Sequence, residues 1–392
     1  MKDRVTYASQ ILYVGPSGVN GSLGESEISG VVPTQLHHIK YIEHNIETET
    51  EDVYAYGNKE PLGHTIVSPI DVGLEFQYNL ADAQNEKWLG FNVSDFNQPF
   101  ISGFLNQEND AQNFYILTVE RGDAVTSETQ QDFIQENNST VTSFGNGVIE
   151  NYSINASVDS IPQATVKVIA DNIDYNNGVA GLVCPNNISC NINDKVTLPA
   201  PREDDLEVDA LRSAYLNLYF SSGEMPQGGY ILPSENPNES NLKSCSLESF
   251  EINVSLPRRI AQGIGKRHAT SKKIEYPTQV EFSCNAATKD IVSGSLLDIF
   301  CAEGRDLIIS MNNPNNESEN INIKLKDIHL DSQISEHSLL TQEFVSLNFS
   351  SPLGKDHDSK VGIYLSGVAG KPQETYYGTT TGQLYDNQKA LR

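Results

Sequence analysis

Residues 246–256 read Ser246-Leu247-Glu248-Ser249-Phe250-Glu251-Ile252-Asn253-Val254-Ser255-Leu256, and this alternation decides the fold. Phe250, Ile252, Val254 and Leu256 share one side and Ser249, Glu251, Asn253 and Ser255 the other, the period of a strand with one buried face. A long basic connection follows, and a second strand starts at Tyr276-Pro277-Thr278-Gln279-Val280-Glu281-Phe282-Ser283-Cys284. The unit is strand, long loop, strand.

Set back by 208 residues (251 − 43) without a gap, the unit lies on residues 42–76. Glu251 falls on Glu43, Asn253 on Asn45, Gly265 on Gly57, Ile274 on Ile66, Pro277 on Pro69 and Val280 on Val72. Phe250, Val254 and Phe282 fall on Ile42, Ile46 and Leu74, so faces and loop glycine stay in phase and the chain reads as duplicated. Two shorter hairpins follow the same alternation. One runs from Glu150-Asn151-Tyr152-Ser153-Ile154-Asn155-Ala156-Ser157-Val158 through Ile161-Pro162 into Ala164-Thr165-Val166-Lys167-Val168-Ile169; the other joins Ile328-His329-Leu330-Asp331 to Phe344-Val345-Ser346-Leu347-Asn348-Phe349. The order is long, short, long, short hairpin.

A chain of 392 residues is long enough for two domains. Leu12-Tyr13-Val14 matches Leu218-Tyr219-Phe220 at nearly the same offset. The patterning places a first domain at 1–198, a linker at 199–210 marked by Pro199, Pro201 and Asp204-Asp205, a second domain at 211–350, and a C-terminal strand and arm at 351–392. Val361-Gly362-Ile363-Tyr364-Leu365 is the strand of that last piece, and Tyr376-Tyr377 belongs to an arm expected to order on a partner. Residues 81–91, with the only tryptophan, Trp88, read as a short helix covering the sheet, and residues 291–300 take the same place in the second half.

The balance of 26 basic against 52 acidic residues, net −26, argues against gripping nucleic acid through its phosphates. It does not argue against passing nucleic acid along a surface that must not hold it. No apolar leader follows Met1-Lys2-Asp3-Arg4 and no apolar run is long enough to span a bilayer, which reads as a soluble protein made in the cytoplasm. Five cysteines do not form a disulfide framework; Cys284 and Cys301 fall on apolar runs, and Cys184 and Cys190 are the only close pair. Gly370-Lys371 lacks the rest of a phosphate loop, the histidines lack metal spacing, and no nucleophile, base or metal set assembles, so the reading is of no enzyme and no cofactor.

The long-loop hairpin, the strand Ser68-Pro69-Ile70-Asp71-Val72-Gly73-Leu74-Glu75-Phe76, the segment Asn85-Glu86-Lys87-Trp88-Leu89-Gly90-Phe91 and the turn Phe144-Gly145-Asn146-Gly147 together resemble the major tail tube proteins of bacteriophages. The resemblance covers most of 39–172 and returns across 245–350. It implies a mainly β chain of two tandem, duplicated sandwich- or barrel-like domains, each with a short helix. Their inner sheets would join into a multi-chain β-barrel around a DNA channel. It further implies a self-assembling structural virion protein of the two-domain type, with trimeric rings stacked into a tail tube for DNA ejection. Assembly would occur in the host cytoplasm, with tape-measure, tail-terminator and tail-tip proteins as partners and no membrane. Counted from the sequence alone, four hairpins give eight strands, and three chains would give about 24, enough to leave a channel. Two rival readings are a generic pair of β-sandwich domains and a tail-tip or host-attachment module using tyrosines such as Tyr54 and Tyr56.

If the apolar faces form the core, the opposite faces line the channel with Glu43, Asn45, Glu47 and Glu75, then Asn151, Ser153, Asn155 and Asp159. The second half adds Glu251, Asn253, Ser255 and Glu281, with Ser346 and Asn348, and Lys167 is the basic exception. Such a lining repels phosphates. The two long loops match in position and oppose in charge. Residues 47–60 hold Glu47, Glu49, Glu51, Asp52 and Glu60 against Lys59, whereas 257–273 hold Arg258, Arg259, Lys266, Arg267, Lys272 and Lys273 with no acid. Either these charges drifted in solvated connections, or the basic loop docks on acidic surface of a neighbouring subunit, with the acidic loop in a matching contact.

Overall fold

The structure is a computed structural model. It describes residues 10–16, 33–48, 50–66, 71–93, 98–105, 110–119, 139–158, 160–179, 182–183, 195–199, 201, 211, 216–221, 247–261, 263, 269, 271–287, 305–313, 316–336, 344–353 and 362–367. Glu49, Asp159, Cys184, Cys190, Lys266, Arg267 and Cys301, most of the 199–210 linker, the 291–300 segment and the C-terminal arm beyond 367 lie outside them.

The chain is mainly β and antiparallel, as its alternation requires. The first half runs β1 (Gln10–Pro16), β2 (Thr34–Gln35), β3 (Ile39–Glu47), β4 (Thr50–Val53), β5 (Gly63–Ile66) and β6 (Asp71–Asn79). It continues with α1 (Gln84–Trp88), α2 (Ser102–Leu105), β7 (Gln112–Val119), β8 (Ser139–Ser157), β9 (Gln163–Ala170), β10 (Asn172–Asn177), β11 (Leu182–Val183) and β12 (Lys195–Val196). The second half repeats the plan with β13 (Leu216–Ser221), β14 (Leu247–Ser255), β15 (Arg258–Ala261), β16 (Ser271–Ile274), β17 (Gln279–Ala287), β18 (Arg305–Asn313), β19 (Asn316–Glu336), β20 (Phe344–Pro352) and β21 (Gly362–Ser366).

Each half is a sandwich. The outer layer of the first is β1, β7, the start of β8, and β10; that of the second is β13, β18, the start of β19, and β21. The C-terminal strand is thus a member of the second outer layer. The inner layers hold the four hairpins, β3–β6, β8–β9, β14–β17 and β19–β20. The long strands β8 and β19, of 19 and 21 residues, serve both layers. β8 turns between them at Gly145-Asn146-Gly147, where Asn146 has φ 54°. A Cβ on Gly147 would meet Val168 Cγ1 at 2.8 Å and Phe114 Cε2 at 3.0 Å, so a larger residue at this packed corner would force those side chains to shift.

Both long loops contain a two-stranded ribbon where the sequence pattern predicts only loop. β15 and β16 stand 208 residues (258 − 50 and 271 − 63) after β4 and β5, with Arg258↔Ile274 repeating Thr50↔Ile66. The core between the layers is continuous across the halves, from Leu12, Phe76 and Tyr152 to Phe250, Phe282, Ile323 and Leu365. Of the helix read over 81–91, five residues are helical in α1. Asn85 anchors it by accepting from the His37 N–H and donating to the His37 carbonyl, 2.9 Å each. Its Glu86 carboxylate is buried and accepts from the hydroxyls of Tyr78 at 2.7 Å and Tyr152 at 2.9 Å.

Candidate assembly surface: the inner sheet, its edges and its ribbons

The four hairpins lie side by side in the order β3-β6-β9-β8-β14-β17-β20-β19, eight strands in one antiparallel sheet. Among the described residues this sheet is open, with β3 at one edge and the end of β19 at the other. Its two halves meet at β8–β14, where Asn151↔Ser255, Ser153↔Asn253 and Asn155↔Glu251 stand opposite. Bulges finish the joint at both ends. Glu150, the extra residue of β8, accepts from the Leu256 N–H at 2.8 Å, and Glu248, beside the shift in β14, accepts from the Val158 N–H at 2.8 Å.

One face is core: Val72, Leu74, Phe76 and Tyr78 on β6 and Phe250, Ile252 and Val254 on β14 are buried. The other face gathers most of the sequence-derived polar set. Glu43, Asn45, Glu47, Asn155, Glu251, Ser255 and Glu281 are exposed there, and Glu75, Asn151, Ser153 and Asn253 are half-buried. Amides and hydroxyls bridge its strands: Asn151 Nδ2 donates to Asn253 Oδ1 across the joint at 2.8 Å, Asn285 Nδ2 to Ser249 Oγ at 3.0 Å, and Asn348 Nδ2 to Ser332 Oγ at 2.9 Å. The charge is uneven. In β3–β6 the carboxylates stand directly opposite one another, Glu43↔Glu75 and Glu47↔Asp71, and Lys167, a cation on this face, sits 3.4 Å from Glu75.

The outer edges of this sheet differ from its interior. Among the described residues β3 pairs only with β6, and residues 329–336 of β19 pair only with β20. Ile46 on β3 is 49% exposed, whereas Val254, its equivalent on β14, is 0% exposed. Among the described residues β14 is flanked by strands on both sides and β3 on one side only. The offsets therefore put Ile46 in phase with the core but at an uncovered edge.

The basic ribbon is divided by what its residues touch. Arg258 and Lys272 are buried against the first half of the same chain. Arg258 donates to the Ile149 carbonyl from Nη2 at 2.7 Å and pairs with Asp110 at 2.5 Å. Lys272 pairs with Asp171 at 2.7 Å and donates to the Ile169 carbonyl at 3.2 Å. Arg259 and Lys273, directly opposite each other, are exposed. On the acidic ribbon Glu51, Asp52, Tyr54 and Tyr56 are exposed, and Asp52 bonds His64. Asp110 and Asp171 were not legible as partners of the basic loop, because only the β8–β14 pairing brings them beneath it. Among the described residues no three His, Cys, Asp or Glu are grouped to hold a metal ion, and no helix is long and apolar enough to cross a membrane.

Comparison with described protein families finds no match, and comparison with curated proteins finds none either. Among solved structures the chain is similar to the SPP1 tail tube, determined by solid-state NMR and cryo-EM, at 8% identity and a TM-score of 0.27, covering 44% of this chain and 91% of that one. A superposition this loose leaves the functional argument to the geometry of the chain itself.

Proposed function

We propose that this chain is a structural protein of a phage-type tail tube, closing with further copies into a ring whose polar sheet face lines a channel for DNA. The observation that carries the reading is the β8–β14 joint. β3 is the duplicate of β14 and the end of β19 is the duplicate of β8, so the two open edges are the two sides of a joint the chain already makes once. A head-to-tail contact of this kind generates a ring when the rotation closes. Three chains give about 24 strands, wider than the 16–18 that already leave an aqueous channel. Closure also removes two sheet edges that would otherwise invite uncontrolled pairing. The acidic, amide-rich face suits DNA in transit, because it offers phosphates no cationic grip. Rings stack into a tube; tape-measure, terminator and tip proteins are the further partners expected, and the role involves no catalysis.

Negative-stain microscopy of the purified full chain tests this. Rings with a central hole, alone or stacked, are the expected result. Exposed Tyr54 and Tyr56 favour a second reading, a host-attachment module for glycans. Dispersed monomers that bind a glycan array would replace the first reading by the second.

A further inference from the structure

The repeat fixes more than the partner strands. Its two offsets are independent: β14 maps to β3 by 208 residues (249 − 41), and β8 maps to β19 by 181 (331 − 150), the spacing of their bulges. Carrying the internal joint through these offsets turns Ser255↔Asn151 into Glu47↔Ser332 and Glu251↔Asn155 into Glu43↔Glu336. The bulge bond from Leu256 N–H to the Glu150 carbonyl becomes one from Thr48 N–H to the Asp331 carbonyl.

Resting on the ring reading above, we propose that copies join in this register and that the joint between copies, unlike the joint within a chain, is opposed by carboxylates. The β3 edge then serves as a charged guard that keeps the chain from pairing until that charge is screened or a partner nucleates the ring. Inside the chain the polar face of the joint sets one carboxylate, Glu251, against amides and hydroxyls. Between copies, Glu43 and Glu47, already opposite Glu75 and Asp71, meet a strand that presents Asp331 and another glutamate position, 336. Lys167 is held at Glu75, two strands in from the edge. Like charges directly opposite on a sheet oppose pairing, and charge is a common means of protecting an edge. The equivalent positions in the second half carry no such repulsion: Ser283 stands opposite Glu251, and Gln279 lies 208 residues (279 − 71) after Asp71, so the acid is concentrated on the hairpin that must meet another copy.

Two full-length variants test register and guard. Glu47→Cys with Ser332→Cys should, on mild oxidation, give covalent dimers and trimers, whereas Glu47→Cys with Gln333→Cys, one residue out of register, should give none. Ser255→Cys with Asn151→Cys calibrates the same geometry within one chain. Glu43→Gln should lower the protein concentration at which rings form at low salt by roughly twofold to fivefold, the range for removing one unfavourable cross-strand pair. The difference should vanish as salt screens the edge. Rings that cross-link out of register, or not at all, overturn the register and leave the ring reading intact. An unchanged threshold for Glu43→Gln at low salt overturns the guard. A parent chain that forms no rings, together with a Glu47→Cys, Ser332→Cys variant that gives no cross-linked oligomers, overturns the ring reading itself.

Discussion

Asn146 and Asp327 share one backbone conformation, φ 54° each, and each has its N–H held by a side-chain oxygen of the adjacent outer strand, Asn113 Oδ1 at 3.1 Å and Asp306 Oδ1 at 3.4 Å. Both acceptors are the bulged residues of their strands, and the two corners lie 181 residues apart (327 − 146). The clamp is how each long strand leaves the outer layer and enters the inner one. Left-handed backbone is tolerated by Asn, Asp and Gly and resisted by other side chains. Asn146→Ala should lower the unfolding free energy by about 1–2 kcal/mol, and Asn146→Gly by only a few tenths, in urea titrations. Equal losses for the two would show that the amide side chain, not the backbone, matters at this corner.

Glu86 makes stability depend on pH. Burial raises its pKa above the usual 4.5, and the hydrogen bonds from Tyr78 and Tyr152 oppose that shift without cancelling it. The folded state therefore holds this proton more tightly than the unfolded chain does. The contribution is fully present below about pH 4.5 and is lost as pH rises through the raised folded value, after which it is level. Glu86→Gln keeps an oxygen for the two hydroxyls and removes the titration. Its unfolding midpoint relative to the parent should improve from pH 4 to pH 7; a difference that stays constant would show that Glu86 keeps its ordinary affinity for the proton.

The alternation that exposes the inner sheet in the sequence is the same property that buries one face, so Phe250, Ile252, Val254 and Leu74 were assignable from spacing alone. The corners were half legible. Gly145-Asn146-Gly147 signals a turn, but its duplicate is Lys326-Asp327-Ile328, which has no glycine and sits at a different offset from the hairpin repeat. Bulges carry no compositional mark, which is why Glu150 and Asp331 emerge only from register. The ribbon β4–β5 reads as loop because solvent reaches both of its faces, and β15–β16 because the side chains it buries, Arg258 and Lys272, are cations and leave no apolar alternation.

Arg258 fastens the second half of the chain onto the first. It is 2% exposed and bonded to Asp110 and the Ile149 carbonyl, so its removal strands a carboxylate and a carbonyl beneath the ribbon. Arg258→Ala should cost about 2–4 kcal/mol, between a lost charged hydrogen bond and a broken buried pair. Arg259→Ala, on the exposed face of the same ribbon, should cost less than about 0.5 kcal/mol. Similar losses for both would mean that the buried ion pair contributes nothing particular to holding the halves together.

Phe282 tests the phase of the hairpins. It is 1% exposed, with ring centroids 6.2 Å from Phe250 and 5.9 Å from Phe349. Phe282→Ala should destabilise the chain by about 3–5 kcal/mol. A loss under about 1 kcal/mol would contradict its place in a close-packed core.

On the ring reading proposed above, the exposed face of the basic ribbon bears on how rings would stack. Arg259 and Lys273 stand directly opposite each other, a like-charge pair with no ion pair to an acid among the described residues. At the corresponding places the first ribbon carries Glu51 and Thr65. Arg258 and Lys272 are used within the chain, so among the described cations of this loop it is the outward pair that is placed to meet a further copy. Both ribbons extend from the same end of the inner sheet, because β3–β6 and β14–β17 are duplicates running in the same sense. The opposite end presents the β8–β9 turn, with exposed Val158 and Ile161, together with exposed Glu248. Head-to-tail stacking would therefore set Arg259 and Lys273 of one ring towards acid such as Glu248 on the next, a contact open to solvent and weakened by salt. Reversing both cations, Arg259→Glu with Lys273→Glu, should leave ring formation intact and suppress tubes, so that light scattering stays low while microscopy still shows rings. Adding Glu248→Lys should restore part of the tube growth at low salt. Tubes from the doubly reversed chain as long as those of the parent, at low salt, would show that the ribbon's charge takes no part in stacking.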